Sequence, residues 1–299
     1  MAHIGFVGLG HMGLPMAINL VKAGHHVTGF DLQETAKAAF TQAGGSIAAD
    51  LATLASHQDI LITMLQTGQQ VTSVCYGQQG LYAHALPHTL HIDCSTIDVP
   101  TAIELQHRAE AHNMIAVDAP VSGGVAGAVA ASLTFMLGGT AAACAAASPI
   151  LSAMGKQIIL TGHAGSGQAA KMCNNMILGI SMIAVAEGFI LAKQLGLEPK
   201  KLHEVVTHAS GQCWVMDRYV PVPNVLDNMP ADRDYQPGFS LSMMLKDLHL
   251  SQEAAAHSGV TTPIAHLATE LFQTAKEAGL GDLDFSAIIK HISEGACKP

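Results

Sequence analysis

Residues 167–188 read GQAAKMCNNMILGISMIAVAEG, and Lys171, Asn174 and Asn175 stand at the head of a run that carries no charge from Met176 to Ala186. A lysine in so apolar a setting is partly desolvated. If burial and nearby cations depress its pKa toward neutrality, the amine can exchange a proton with a substrate hydroxyl. The same residue also reads as a surface lysine whose stem lies along a helix. Asn175 follows Lys171 by four positions and shares its helical face, where an amide can orient the amine and hydrogen-bond a substrate. Asn174 points about 100° away and reads as a support. A second cluster, Ser122-Gly123-Gly124, follows the apolar stretch MIAVDAP. Two glycines let backbone N–H groups converge on an anion and the serine hydroxyl adds a donor, so a carboxylate is the natural ligand, with a flexible turn as the plain alternative. If a carboxylate is held there while Lys171 meets a hydroxyl, a hydroxy acid is fixed at both ends.

A third signal is Gly8-Leu9-Gly10-His11-Met12-Gly13, a G-x-G-x-x-G between an expected strand and an expected helix. In that context Gly8 allows the tight turn, Gly10 clears room for a pyrophosphate, and Gly13 lets helix and strand pack closely, with the helix N-terminus facing the phosphates. Asp31 ends the next strand, 18 residues after Gly13, where a carboxylate binds ribose hydroxyls and repels a 2′-phosphate. Leu32 and Gln33 follow without an arginine, so NAD is expected rather than NADP. Later strand ends face the same crevice, which selects Met64-Leu65-Gln66 and Ser95-Thr96; strand-to-helix capping explains Ser95 equally well.

These residues need a scaffold, and the pattern supplies one. HIGFVGL, HVTGFD, DILITML, TLHIDCS, MIAVDAP, LTFMLGG and KQIILTG are apolar runs of strand length separated by helical stretches. Such alternation predicts a doubly wound, mostly parallel sheet with helices on both faces. After Gly162, HAGSGQ reads as a glycine-rich hinge, and beyond it only helical periodicity remains, over 166–195, 199–209, 240–258, 262–278 and 285–293. The proline-rich segment Val220–Phe239 reads as an ordered loop. We therefore expect a nucleotide-binding α/β domain over 1–163 and an all-α domain over 164–299, entered through a long helix.

Charged residues make up only 12% of the 299 residues and the formal net charge is −9, which argues against a nucleic-acid binder. So few charges suggest buried surface between subunits, and a dimer or tetramer is expected. Cys75, Cys94, Cys144, Cys173, Cys213 and Cys297 are dispersed without a C-x-x-C pair and read as reduced, buried thiols. His84, His88 and His91 are interrupted by Pro87 and read as solvated or locally bonded, so no metal is expected. The uninterrupted apolar part of 167–188 is shorter than the ~20 residues of a membrane span and stops at Glu187, so a buried core helix is the better reading. With a strand starting at His3, no secretory or transit segment is expected, and a cytoplasmic location fits.

Taken together, GFVGLGHMGLPMAINL, ITML, IDCSTID, DAPVSGGVAGA, LTFMLGG, GQAAKMCNNM, GQCW, PVPNV and MLKDL resemble the β-hydroxyacid dehydrogenase family over nearly the whole chain, and its 3-hydroxyisobutyrate branch in particular. The resemblance implies a Rossmann domain, a helical second domain, and NAD-dependent oxidation of 3-hydroxyisobutyrate to methylmalonate semialdehyde, in branched-chain amino acid catabolism. A related tartronate or succinic semialdehyde reductase is the alternative. It places the catalytic lysine at Lys171, the substrate loop at Ser122, Gly123 and Gly124, and the helix asparagine at Asn175. Cofactor contacts are implied at Gly8 to Asp31, Leu65, Thr96 and Lys246. Lys246, beside the nicotinamide end, would lower the pKa of Lys171, and Asp247 would orient one of the lysines; without the resemblance the two are a charge pair. Phe239 would close over the ring or fill the core. Gln66 departs from the family, which usually has proline there.

Overall fold

In a computed structural model, which describes residues 1–296, the first half is built on a sheet of nine strands. They are β1 (His3–Val7), β2 (His26–Phe30), β3 (Ser46–Ile47), β4 (Ile60–Thr63), β5 (Leu90–Asp93), β6 (Ile115–Asp118), β7 (Val121–Ser122), β8 (Leu133–Gly138) and β9 (Gly155–Gly162). Their spatial order is β3-β2-β1-β4-β5-β6-β8-β7, with β9 also paired to β8. Pairing from β3 through β6 is parallel throughout. β4 and β5 are buried at every position, as strands covered on both faces must be, which is why they read as continuous apolar runs. Strand order reverses at β1, so the crevice outside Val7 and Thr63 is the switch point of the sheet.

Two features lie below what the sequence pattern resolves, within the mostly parallel sheet that it predicts. β3 and β7 are two-residue strands, too short to show a period. β8 runs antiparallel to β6 and β7, because the short link through Ser122 and helix Gly124–Val129 turns the chain back rather than crossing over. The long helix runs Ser166–Gln194, close to the expected 166–195, so of the hinge stretch HAGSGQ the residues Ser166, Gly167 and Gln168 form its first turn. That turn forms despite its glycine because Asp118, at the end of β6, accepts from the N–H groups of Gly165 and Gln168, both at 2.9 Å, as an N-cap contributed from elsewhere in the chain.

Contacts divide the chain into two compact units that meet within this helix, after Lys171. The second is helical, with Pro199–Thr207, Trp214–Arg218, Leu241–His257, Pro263–Ala275 and Ile288–Ala296 around a core that includes Met182, Phe189, Met244, Leu248, Phe272 and Phe285. Val220–Phe239 contains only the short 3₁₀ turn Pro230–Arg233. It is ordered by Asp284, which accepts from the Tyr219 hydroxyl at 2.9 Å and the Gly238 N–H at 3.0 Å.

Cys75, Cys94 and Cys144 are buried free thiols and Cys213 is half-buried, whereas Cys173 is exposed, contrary to expectation. Cys173 lies two positions after the buried Lys171, about 200° round the helix. Cys297 lies outside the described residues. The helix Ser166–Gln194 is long and apolar enough to cross a membrane by length and composition, and 44% of its most apolar window is buried within the protein.

Candidate active site

At the switch point the three glycines have three separate reasons to be glycine. Gly8 has φ +95°, and a Cβ there would lie 2.3 Å from the Met64 carbonyl oxygen. A Cβ on Gly13 would sit 1.8 Å from the Gly8 carbonyl oxygen, so the helix Gly13–Lys22 touches the strand turn backbone to backbone. Gly10 is different: a Cβ there would meet nothing within 4 Å, so no protein atom forbids a side chain. The room left at Gly10, between two sterically forced glycines, fits a pyrophosphate against the helix N-terminus. Leu9 buries its side chain in the core and leaves only backbone for a ligand, while His11 is exposed and Met12 half-buried. Asp31 reaches back to this turn, its carboxylate accepting from Leu9 N–H at 2.6 Å and Gln33 N–H at 2.8 Å, with Leu32 exposed to solvent beside it.

The next strand ends rest on a polar ladder that sequence reasoning missed. Tyr82 O–H bonds His91 Nδ1 at 2.7 Å, His91 Nε2 meets Thr63 Oγ1 at 3.0 Å, and the Thr63 hydroxyl donates to Asp93 Oδ1 at 2.7 Å. Because the Thr63 hydroxyl donates to Asp93, His91 Nε2 carries a proton, and burial favours the neutral ring with Nδ1 accepting from Tyr82. Burial pushes the His91 imidazole down to about 3 and the Asp93 carboxyl up to about 6. Asp93 Oδ1 also accepts from Ser95 N–H at 3.2 Å, and Ser95 Oγ accepts from Leu65 N–H at 2.9 Å. Ser95 therefore ties two loops together and is buried. The Gln66 N–H donates to Gln70 Oε1 at 3.0 Å, a bond that a proline could not make. His84 and His88 are exposed and do not join His91, and among the described residues no group of three His, Cys, Asp or Glu is placed to hold a metal.

Lys171 is only 8% exposed, and its Nζ donates to the Val121 carbonyl at 2.8 Å. Val121 immediately precedes Ser122-Gly123-Gly124, so the amine and the candidate carboxylate loop are brought together in one unit. Gly123 (φ +134°) and Gly124 (φ +62°) both occupy left-handed backbone that other residues adopt only under strain, which explains the pair of glycines. Burial raises the Asp118 carboxyl, against the lowering effect of backbone N–H groups from the helix start. Asp118 and Gln168 lay inside motifs noted for their neighbours, and the bonds that tie the helix start to the strand ends span 47 to 73 positions, which no local pattern reveals.

In the helical unit Asn175 is buried and its Nδ2 donates to Asp247 Oδ2. This fixes the amide with its oxygen free of that contact, and Asn174, which is exposed, donates to that oxygen at 2.9 Å. Asn174 thus bonds its neighbour's side chain. Lys246 Nζ lies 3.3 Å from Asp247 Oδ1. Phe239 packs edge-on against Phe285 at 5.7 Å, on the core side of its loop.

Residues 3–162 match the family described as the NAD binding domain of 6-phosphogluconate dehydrogenase, and 165–292 match the one described as NAD-binding of NADP-dependent 3-hydroxyisobutyrate dehydrogenase. A probable 3-hydroxyisobutyrate dehydrogenase of Mycobacterium tuberculosis is 46% identical over 97% of both chains. An NAD-dependent L-serine dehydrogenase of Pseudomonas aeruginosa is 43% identical, again over 97% of both. Among solved structures, the M. tuberculosis 3-hydroxyisobutyrate dehydrogenase with L-serine superposes with a TM-score of 0.91, at 45% identity, over 98% of this chain and 99% of that one. With the glycine turn, Asp31 and the two-unit architecture in place, this chain belongs to the 3-hydroxyisobutyrate dehydrogenase family of NAD-binding oxidoreductases.

Proposed function

We propose that the chain oxidises 3-hydroxyisobutyrate to methylmalonate semialdehyde, with Lys171 as general acid/base. The observation that carries this is the buried Lys171 amine bonded to Val121, the residue before Ser122-Gly123-Gly124. The loop holds the substrate carboxylate, so the adjacent hydroxyl falls to Lys171, which takes its proton in oxidation and returns it in reduction. Asn175, held by Asp247, orients the hydroxyl. Gly8 to Gly13 cradle the pyrophosphate, Asp31 takes the adenosine ribose, and Leu65 and Thr96 line more of the cofactor site within the first unit. NAD, when bound, accepts the hydride from the alcohol carbon. The Asp31 carboxylate favours NAD over NADP. We also propose a cytoplasmic homo-oligomer, a dimer or tetramer, supported by the exposed Ile177, Leu191, Leu195 and Val205 of the helical unit.

L-Serine is the second reading, favoured by the P. aeruginosa relative and by the ligand of the M. tuberculosis structure. Serine has the same carboxylate-to-hydroxyl spacing, so the loop and lysine serve either acid. The test is formation of reduced cofactor with 3-hydroxyisobutyrate, L-serine and the tartronate and succinic semialdehyde pairs, each with NAD and NADP. A larger kcat/KM for L-serine would overturn the first reading. Lys171→Met is expected to lower kcat by about 10³-fold, in the range of a lost general acid/base, with binding of NADH retained.

A further inference from the structure

Gln168 is fully buried in the first turn of the long helix and uses both ends of its amide. Nε2 donates to the Ser95 carbonyl at 2.8 Å, and Oε1 accepts from the Ile97 N–H at 3.2 Å. The two bonds bracket Thr96. Only one amide orientation works: turned over, it would set N–H against N–H and oxygen against oxygen. The backbone N–H of Gln168 goes to Asp118 Oδ2 at 2.9 Å, which fixes the helix start against β6. Ser95 in turn holds Leu65 N–H through its hydroxyl. Three positions on, one turn higher on the same face, Lys171 bonds the Val121 carbonyl. A single helical turn thus spans from the loop carrying Thr96 to the loop carrying Ser122.

We propose that Gln168 is a positioning residue that sets the placement of Lys171 relative to the Leu65 and Thr96 loops, and so of the proton acceptor relative to the nicotinamide. This rests on the function proposed above. A buried amide serving two loops and a helix registers them more tightly than packing alone, and a displacement of about 1 Å at a reacting group costs as much as about 10²-fold in rate.

The test compares the parent with Gln168→Glu and Gln168→Met, using kcat, KM and NADH affinity from pH 5.5 to 9, with circular dichroism and thermal melts as controls. A protonated carboxyl can still donate to the Ser95 carbonyl; an ionised one cannot. The titratable groups tied to the same network are Asp118, Asp93 and Lys171, and the two carboxyls raise the pKa of the introduced acid. Gln168→Glu is expected to work within threefold of the parent at the acid end. Its kcat then falls at least tenfold as pH rises, along a limb the parent lacks, while KM for the hydroxy acid changes less than threefold. Gln168→Met, lacking both bonds, is expected to lose at least tenfold in kcat at every pH with its circular dichroism unchanged. A Gln168→Glu profile that superposes on the parent, or a Gln168→Met variant with parental kcat and only a lower melting temperature, would overturn the proposal. So would failure of both variants to fold at all pH values, since the contact would then be structural only. If the parent turns over no acid in the panel, it is the proposed function that fails. NADH affinity then still reports on the bracket around Thr96, and parental affinity in both variants counts against it.

Discussion

Gly10 and Gly13 stand three residues apart in one motif and are glycine for opposite reasons. Gly13 is forced by protein backbone 1.8 Å from where a Cβ would lie, whereas Gly10 meets no protein atom within 4 Å. Gly13→Ala is therefore expected to destabilise the fold by about 3 kcal/mol, as overpacking against backbone does, measured by urea unfolding. Gly10→Ala should change stability by less than about 0.5 kcal/mol yet weaken NADH binding at least tenfold in a fluorescence titration. A stable Gly13→Ala or an NADH-tight Gly10→Ala would contradict that division. Asp93 and His91 oppose one another in the same way. His91, lowered from 6.5 to about 3, takes up no proton when folded, so its contribution is lost as pH falls from about 6.5 toward 3. Asp93, raised from 3.8 to about 6, acts in the other direction: its carboxyl favours the folded state at low pH, an advantage lost as pH rises from about 4 through 6. At 1.36 kcal/mol per unit each effect is worth about 3 to 5 kcal/mol at most, with His91 the larger. Asp93→Asn removes one side of this balance. Between pH 6.5 and 4.5 the variant is expected to lose about 2 kcal/mol more stability than the parent, read from denaturation midpoints at each pH.

At the scale of the elements, what is local in the chain is legible in the sequence. The first strand, the glycine turn, the helix after it and Asp31 all lie within 31 residues, and their spacing alone carries the geometry. The long helix declared itself by its apolar run, and its polar head by the contrast. What escaped was either too short to have a period, as with β7, or too distant in the chain. Thr63, His91 and Asp93 sit inside runs that read simply as strands, and nothing in ILIT or LHID tells that three polar groups form one hydrogen-bonded line. Asp31 joins two elements at once. Its carboxylate holds both the glycine turn and the start of the next segment, so Asp31→Ala removes the repulsion of a 2′-phosphate and loosens the turn together. The NAD-to-NADP ratio of kcat/KM is expected to fall at least tenfold, with NAD itself bound more weakly; an unchanged ratio would place cofactor selection elsewhere.

For the whole molecule, composition spoke earliest and least specifically. A charged content of 12% on 299 residues called for much buried surface, and the two cores account for part of it. The exposed aliphatic residues of the helical unit support the rest being covered between copies, and sedimentation equilibrium should return a multiple of 31.1 kDa; a monomer at micromolar concentration would remove that proposal. The assignment of substrate was not legible because the proposed loop-and-lysine site would meet only what 3-hydroxyisobutyrate and serine share. The way the first unit caps its last helix also bears on the order in which the chain folds. The opening turn of the helix that bears Lys171 is capped by Asp118, 47 to 50 positions earlier in the chain. Closing so long a loop costs entropy that local helix formation cannot recover, so this end of the helix is finished only after β6 has docked. Growth of the helix from its apolar middle toward its polar head is the expected order. In pulse-labelled hydrogen exchange the amides of Gly165 and Gln168 are expected to gain protection with those of β6, later than the amides near Met182, so that Lys171 meets the Val121 carbonyl among the last events of folding.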